Sequence, residues 1–347
     1  MNMKTDLKGL DAQEIEAWAV SQGLEPYRGR QIRHWLFRRL VSSFEEMTEL
    51  PKSLRSLLSE KASISPLEKV KTLVSEDGTQ KYLFKLSDGH LIESVLIPER
   101  DHLTLCISSQ AGCAMGCRFC LTAAQGLKRN LKPSEIIEQV IQIKRSMDDP
   151  AKLTNIVLMG MGEPLANYDA VIKAIKNMLA QEGMNFSHRK VTLSTCGLVP
   201  EIKRLGQDIT INLAISLNAA DDETRSFLMP VNKRYPLKDL LAACKDFPLP
   251  NRRMLTFEYI LIQGINDSDE DALKLARRLS GLRAKINLIP LNPYPGCQLL
   301  PPPMERTHCF QEILVEKNFT AIIRKSKGRD IMAACGQLSG AHATDTI

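Results

Sequence analysis

The sequence predicts an α/β protein with about six strand–helix units, preceded by an N-terminal accessory region of helices and β-hairpins. Three observations carry this. Strand-like segments LTLCISS, TNIVLMG, KVTLSTC, ITINLAISL, MLTFEYILI, AKINLIPL and FTAIIRKS recur after residue 102. Amphipathic stretches lie between them, among them PSEIIEQVIQIKRSM, YDAVIKAIKNMLAQEG, DSDEDALKLARRLSG and MERTHCFQEILVEKN. The chain has 347 residues and 44% hydrophobic content, enough to bury a sizeable core. Such alternation implies a parallel sheet with helices outside it. About six units are too few for a complete eight-fold barrel, so a partial barrel and an open doubly wound sheet both fit. In either, the working site lies beyond the C-terminal ends of the strands.

The elements follow in order. DAQEIEAWAVSQG and RGRQIRHWLFRRLVSS carry apolar residues at three- and four-residue spacing, so residues 1–62 read as helical. Pro51 suits the first turn of a third helix, PKSLRSLLSE. Then VKTLV, KYLFKL and LIESVLI are short and β-rich, separated by Asp77-Gly78 and Asp88-Gly89. Asp-Gly between such runs signals hairpins, and the segment reads as a three-strand meander. The expected domains are therefore 1–98, an accessory domain, and 99–338, the strand–helix core. A frayed tail is expected over 339–347.

Charge and composition narrow the function. Lys and Arg number 46 against 40 Asp and Glu, a net charge of +6, and charged residues make up 25%. Those values exclude a mainly disordered chain and a collagen-like repeat. No apolar run approaches the ~18 residues of a membrane helix. The charged N-terminus MNMKTDLKGLDAQEIEAW has no signal-like apolar stretch, so a cytoplasmic protein is expected. Tyr27 to Arg39 holds five arginines and no acid, and a second basic run contains Arg324, Lys325, Lys327 and Arg329. A solvated face is the ordinary reading of such runs. A phosphate-binding surface is the sharper one, with Tyr27, Trp35 and Phe37 available to stack on bases.

Nine cysteines, an odd number, argue against a disulfide scaffold. Three of them fall in Gln110-Ala-Gly-Cys113-Ala-Met-Gly-Cys117-Arg-Phe-Cys120, a C-x3-C-x2-C run after a strand. Ordinary [4Fe–4S] sites use four cysteines, and structural zinc sites use four ligands. A triplet with no local fourth ligand leaves one iron of a cluster open. After the next strand comes Gly160-Met161-Gly162-Glu163-Pro164-Leu165. A glycine-rich turn there brings carbonyls and a carboxylate close to a cationic ligand.

The triplet resembles the signature of radical S-adenosylmethionine (SAM) enzymes. Over nearly its whole length the chain resembles the bacterial 23S rRNA adenine-C2 methyltransferases of the RlmN/Cfr family. The segments that carry the resemblance include CISSQAGCAMGCRFC, QGLKRNL, MGMGEPLANY, LSTCGLVP, AISLNA, LMPVNKRYPL, LIQGIND, INLIPLNPYPG and AACGQL. Pro164 and QGLKRNL favour the RlmN branch over the branch that methylates C8. The family often reads SLH where this chain has Ser216-Leu217-Asn218.

The resemblance implies a partial (βα)6 radical-SAM barrel behind the accessory domain. It implies that Cys113, Cys117 and Cys120 hold a [4Fe–4S] cluster. Gly162, Glu163, Ser194, Ser216, Leu217, Asn218 and Asn292 would contact SAM. Cys335 would carry a methyl group as a covalent intermediate, Cys106 would resolve the adduct through a transient disulfide, and Glu93 would act as base. The partners implied are 23S rRNA, adenosine 37 of some tRNAs and a flavodoxin-like electron donor, with the enzyme a monomer. The chemistry is coherent: carbon 2 of adenine is not nucleophilic and cannot attack a methyl sulfonium, whereas a thiolate can. The S-methyl carbon, made a radical, could then add to the ring.

Each assignment has an ordinary counterpart. Glu93 sits in the apolar LIESVLI, where most acids are edge-strand charges, while burial there would suit a carboxyl to proton transfer. Cys106 fits a small core residue, and Cys335 an incidental loop thiol. Cys196, Cys244, Cys297 and Cys309 receive only the structural reading. The contrasting function is a non-catalytic Fe–S protein that binds nucleic acid and senses redox state. Such a sensor has no use for the GMGEP loop or for the distant Cys106 and Cys335.

Overall fold

The computed structural model describes residues 4–340. A two-residue strand, β1 (Thr5–Asp6), precedes three helices, α1 (Ala12–Ser21), α2 (Pro26–Phe37) and α3 (Lys52–Lys61), and pairs in parallel with β2 (Ala62–Ser63). Asp11 and Glu14 form a reciprocal capping box at the start of α1. Pro51 stands just before α3 at its cap position.

The expected meander forms as β3 (Glu68–Val74), β4 (Gln80–Lys85) and β5 (Leu91–Pro98), all antiparallel. It does not stand apart. β5 pairs antiparallel with β6 (Leu103–Cys106), which opens the parallel part of the sheet. A small hairpin, β7 (Gln110–Gly112) with β8 (Leu127–Asn130), and the short α4 (Leu121–Ala124) follow β6.

From there the units run α5 (Pro133–Arg145), β9 (Leu153–Leu158), α6 (Tyr168–Leu179), β10 (Val191–Thr195), α7 (Val199–Asp208) and β11 (Asn212–Ser216). They continue through α8 (Asp222–Leu228), α9 (Leu237–Asp246), β12 (Leu255–Leu261), α10 (Asp269–Leu279), β13 (Ala284–Pro290), α11 (Met304–Glu316) and β14 (Thr320–Ile323). The sheet order is β14-β13-β12-β11-β10-β9-β6-β5-β4-β3, with every pairing from β6 to β14 parallel. The sheet does not close, because β14 and β3 are its edges. This is a partial barrel with the meander continuing one side.

The buried faces follow the strand chemistry. Ile156, Leu193, Ile215, Phe257 and Ile286, one from each of five adjacent strands, are fully buried. Residues buried from both sides explain why those strands read as near-continuous apolar runs.

The N-terminal helices pack on α5 and α6, and this uses up part of the basic segment. Arg33 is buried and reaches Asn177 at 3.4 Å and Glu182 at 3.6 Å. Arg38 donates to the Gln181 carbonyl. Lys8 and Glu138 form a fully buried ion pair between the N-terminus and α5. Trp35 and Phe37 are core residues, so neither is available to stack on a base. Tyr27 and Arg30 on α2, and Arg38 and Arg39 just after it, remain exposed.

Candidate active site

The parallel strands deliver their C-terminal ends to one cleft with about 860 Å³ of empty space, open to solvent. Cys113, Cys117 and Cys120 line it, together with Gly162, Glu163, Ser194, Ser216, Asn218 and Cys335. Leu217 lies behind the wall. Its N–H donates to Glu258 at 3.0 Å and its carbonyl accepts from Arg225 at 3.0 Å. Asn292 stands at the edge, where its Nδ2 donates to the Cys335 carbonyl at 3.3 Å. Glu93 and Cys106 are not on the wall either; both lie on the strands next to it, β5 and β6.

The cysteine loop is wound by glycine. Gly112 has φ +76°, and a Cβ there would fall 2.0 Å from the Gly126 carbonyl oxygen. Burial raises the Cys113 thiol pKa to about 12. It also pushes up Cys117, whose two neighbouring thiols add to the effect, and Cys120. A metal cluster reverses that preference by holding the sulfurs as thiolates. Among the described residues no three His, Cys, Asp or Glu side chains converge as a single metal ion requires. Three thiols around one cavity, with no fourth on the loop, fit a larger three-cornered group such as a [4Fe–4S] cluster.

The GMGEP turn packs directly against the cysteine loop. Gly162 has φ +100°, and a Cβ there would come within 2.5 Å of the Gln110 side chain. The Glu163 N–H donates to Gln110 Oε1 at 2.8 Å. Its carboxylate accepts from Leu165 N at 3.0 Å and from Cys196 N at 2.8 Å. Burial raises its pKa, and the Cys196 hydrogen bonds oppose the rise.

Asn218 has φ +58°, a conformation asparagine tolerates better than most residues. Its Oδ1 accepts from Ile260 N at 2.8 Å, and its Nδ2 lies 3.2 Å from Met229 Sδ. The asparagine side chain is therefore spent on the wall itself. Beneath it, Arg225 is fully buried and donates to the carbonyls of Cys196, Ser216 and Leu217 and to Asn232 Oδ1. One guanidinium thus ties the ends of β10 and β11 together.

Cys335 is exposed through the mouth of the cleft, while surrounding protein raises its thiol pKa to about 11. Its loop is held by three hydrogen bonds, two to the start of α4 and one to the segment after β13. Leu121 N–H donates to Gly336 O at 2.8 Å, Thr122 Oγ1 to Leu338 O at 2.5 Å and Gln337 Nε2 to Pro293 O at 2.7 Å. Cys106 is buried; that burial, then the nearby Cys335 thiol, pushes its pKa up. Both thiols are free. Glu93 is also buried, but its surroundings are not purely apolar. Lys81 Nζ lies 3.0 Å from Oε1, and Ser339 N–H donates to Oε2 at 2.8 Å. Ser339, expected in a frayed tail, is thus held in place; residues 341–347 of that tail lie outside the described residues.

Several residues of this site are absent from the sequence reading. Glu258 on β12 lines the cleft, is buried, and accepts from Asn287 Nδ2 at 2.9 Å. Its signal, one acid in the apolar run MLTFEYILI, is the same one that singles out Glu93. Cys196, given only a structural reading from the sequence, also lines the cleft. Arg225 and Lys81 offer no local signal, because charged residues on helices and hairpins are ordinary.

Comparison with known proteins agrees with this geometry. Residues 107–276 match the Radical SAM superfamily, and residues 5–64 match the ribosomal RNA large subunit methyltransferase N-terminal domain. A "Dual-specificity RNA methyltransferase RlmN" from Geobacter sulfurreducens is 53% identical over 98% of this chain and 93% of its own. One of the same name from Syntrophus aciditrophicus is 52% identical over 97% of each chain. The crystal structure of a radical SAM methyltransferase from Sphaerobacter thermophilus superposes with TM-score 0.92 at 45% identity, covering 97% of this chain and all of that one.

Proposed function

The chain belongs to the RlmN family of radical SAM RNA methyltransferases, and from that premise we propose that it methylates carbon 2 of one adenosine in 23S rRNA. We further propose adenosine 37 of some tRNAs as a second substrate; the dual-specificity name shared by the relatives supports two RNAs over one. The family's cofactors are a [4Fe–4S] cluster and SAM. When bound, they supply the methyl group and the one-electron chemistry that an inert ring carbon demands.

The protein's own residues do the rest. Cys113, Cys117 and Cys120 hold the cluster. Glu163, Ser194, Ser216 and Asn292, with the backbone at Gly162, seat SAM, and Leu217 and Asn218 build the wall of its pocket. Cys335 accepts the methyl group at sulfur and carries its carbon to C2. Glu93 takes the C2 proton. Cys106, as thiolate, attacks the Cys335 sulfur. The sulfur–methylene bond breaks, its electron pair stays on the ring-conjugated carbon, and that carbon takes up a proton to become the methyl group as a transient disulfide forms and the RNA is freed. In this reading the enzyme works as a monomer in the cytoplasm, and a flavodoxin-like protein delivers its electrons. Residues 1–98 help to hold the RNA.

One observation carries the reading: Cys335, a thiol far along the chain, opens onto the same cleft as the cysteine triplet. A redox sensor has no use for that arrangement. The test is mass spectrometry of rRNA nucleosides from cells with and without this gene. Loss of 2-methyladenosine on deletion is expected. Loss of 8-methyladenosine instead, or an unchanged profile, would overturn the assignment.

A further inference from the structure

Lys81 is one of few lysines in this protein that are buried. It sits on β4, opposite Val95 of β5, and Leu83 two residues on lies opposite Glu93. Side chains alternate along a strand, so Lys81 and Glu93 share one face of the sheet. Its Nζ meets Glu93 Oε1 at 3.0 Å and donates to the Met332 carbonyl at 3.1 Å. The other carboxylate oxygen accepts from Ser339 N at 2.8 Å. Met332 and Ser339 lie three residues before Cys335 and four after it. The single ion pair thus grips both shoulders of the loop that presents Cys335.

We propose that Lys81 is a positioning residue for the reaction: it aims the Glu93 carboxylate and fixes the Cys335 loop to that same carboxylate. The inference rests on the reading of Glu93 as base. A carboxylate buried alone takes up a proton and loses its capacity as a base, whereas an adjacent ammonium favours the charged form. Glu258 and Arg324 lie beside Cys335, and the thiols on this side are Cys106, which faces Val95 from β6, and Cys335. At pH 7 a thiol is neutral, and both of these have raised pKa values. Lys81 is the cationic side chain in direct contact with the Glu93 carboxylate. In the step it serves, the C2–H bond breaks, its electron pair stays on the ring adduct, and the proton forms an O–H bond on Glu93. Lys81 gives up no proton.

The test uses full-length protein with its cluster reconstituted, in four variants: Lys81→Met, Lys81→Arg, Glu93→Gln and the double Lys81→Met/Glu93→Gln. Lys81→Met should slow RNA methylation about tenfold or more at neutral pH, a part of the roughly 10²–10⁴-fold that a general base contributes. Its pH profile should move upward, with activity partly restored at higher pH. Lys81→Arg should keep the wild-type profile within a few-fold. Amide hydrogen exchange over residues 330–340, measured on cluster-free protein, should rise in Lys81→Met and stay low in Lys81→Arg. The double variant should recover the melting temperature that Lys81→Met loses, because it removes the unpaired buried carboxylate. If Glu93→Gln methylates RNA at the wild-type rate, the base reading itself fails. If Glu93→Gln is inactive while Lys81→Met keeps the wild-type rate, profile and exchange, the base reading stands and the role of Lys81 is wrong.

Discussion

The backbone N–H of Leu121 donates to the carbonyl of Gly336 at 2.8 Å. The residue after the third cysteine of the triplet is thereby bonded to the residue after Cys335. Two thiol-bearing loops separated by more than two hundred residues share one local frame, so a displacement of either moves the other.

Thr122 reinforces that frame through its hydroxyl bond to Leu338 O. Thr122→Val keeps the shape and removes the donor, leaving a buried carbonyl unpaired. A loss of about 1 kcal/mol is expected. Amide exchange over residues 333–339 should quicken, with the sheet strands unaffected. Unchanged exchange would show that the backbone bond alone holds the loop.

The triplet itself gives a composition test. Cys117→Ala should abolish the cluster, because three thiolates are the minimum that leaves one iron open for SAM. Iron and sulfide in anaerobically purified protein should fall close to zero. Wild-type content in that variant would remove Cys117 from the ligand set.

How much of this could be read from the chain alone depends on how local each feature is. The strand–helix alternation, the Asp-Gly turns and the cysteine spacing are local, and the fold and the triplet followed from them. The clamp on the Cys335 loop is not: Lys81, Asn292 and Thr122 reach it from three distant parts of the chain. Arg33, Trp35 and Phe37 show the opposite failure. Their segment reads as a basic, aromatic face, yet these side chains fall beside Gly29, Ile32 and Leu36, which recur at three- and four-residue spacing, on the buried side of α2. Glu258 was legible and passed over, since its setting in an apolar strand matches that of Glu93.

The α2 arginines should divide accordingly. Arg33→Ala removes a buried guanidinium paired with Glu182 and should cost about 1–3 kcal/mol of stability. Arg28→Ala with Arg30→Ala should leave the melting temperature nearly unchanged. That pair should weaken RNA binding and reduce its salt dependence, by roughly 0.7–0.9 in log–log slope for each phosphate no longer neutralised. RNA affinity unchanged at several salt concentrations would assign α2 to packing alone.

The last prediction separates the two thiols by the order in which they act. In the proposed mechanism Cys335 accepts the methyl group first, so Cys335→Ala should carry no methyl and modify no RNA. Its thiol pKa is pushed up to about 11, so the thiol form dominates at neutral pH. Methylation of Cys335 should therefore quicken as pH rises from about 7 to 9, where the thiolate fraction grows about tenfold per unit. In the same mechanism Cys106 acts only after Cys335 has been joined to the ring. Cys106→Ala should still be methylated on Cys335 and still attack the adenine, but should fail to release it. The trapped species is a protein–RNA crosslink that survives denaturation, joined through one methylene. Cys106 closes β6 and its thiol senses that of Cys335, so a disulfide needs only the loop to bring the α-carbons within about 4.4–6.8 Å. A Cys106→Ala protein that turns over freely, with no covalent species on a denaturing gel, would return Cys106 to the core and require another route of release.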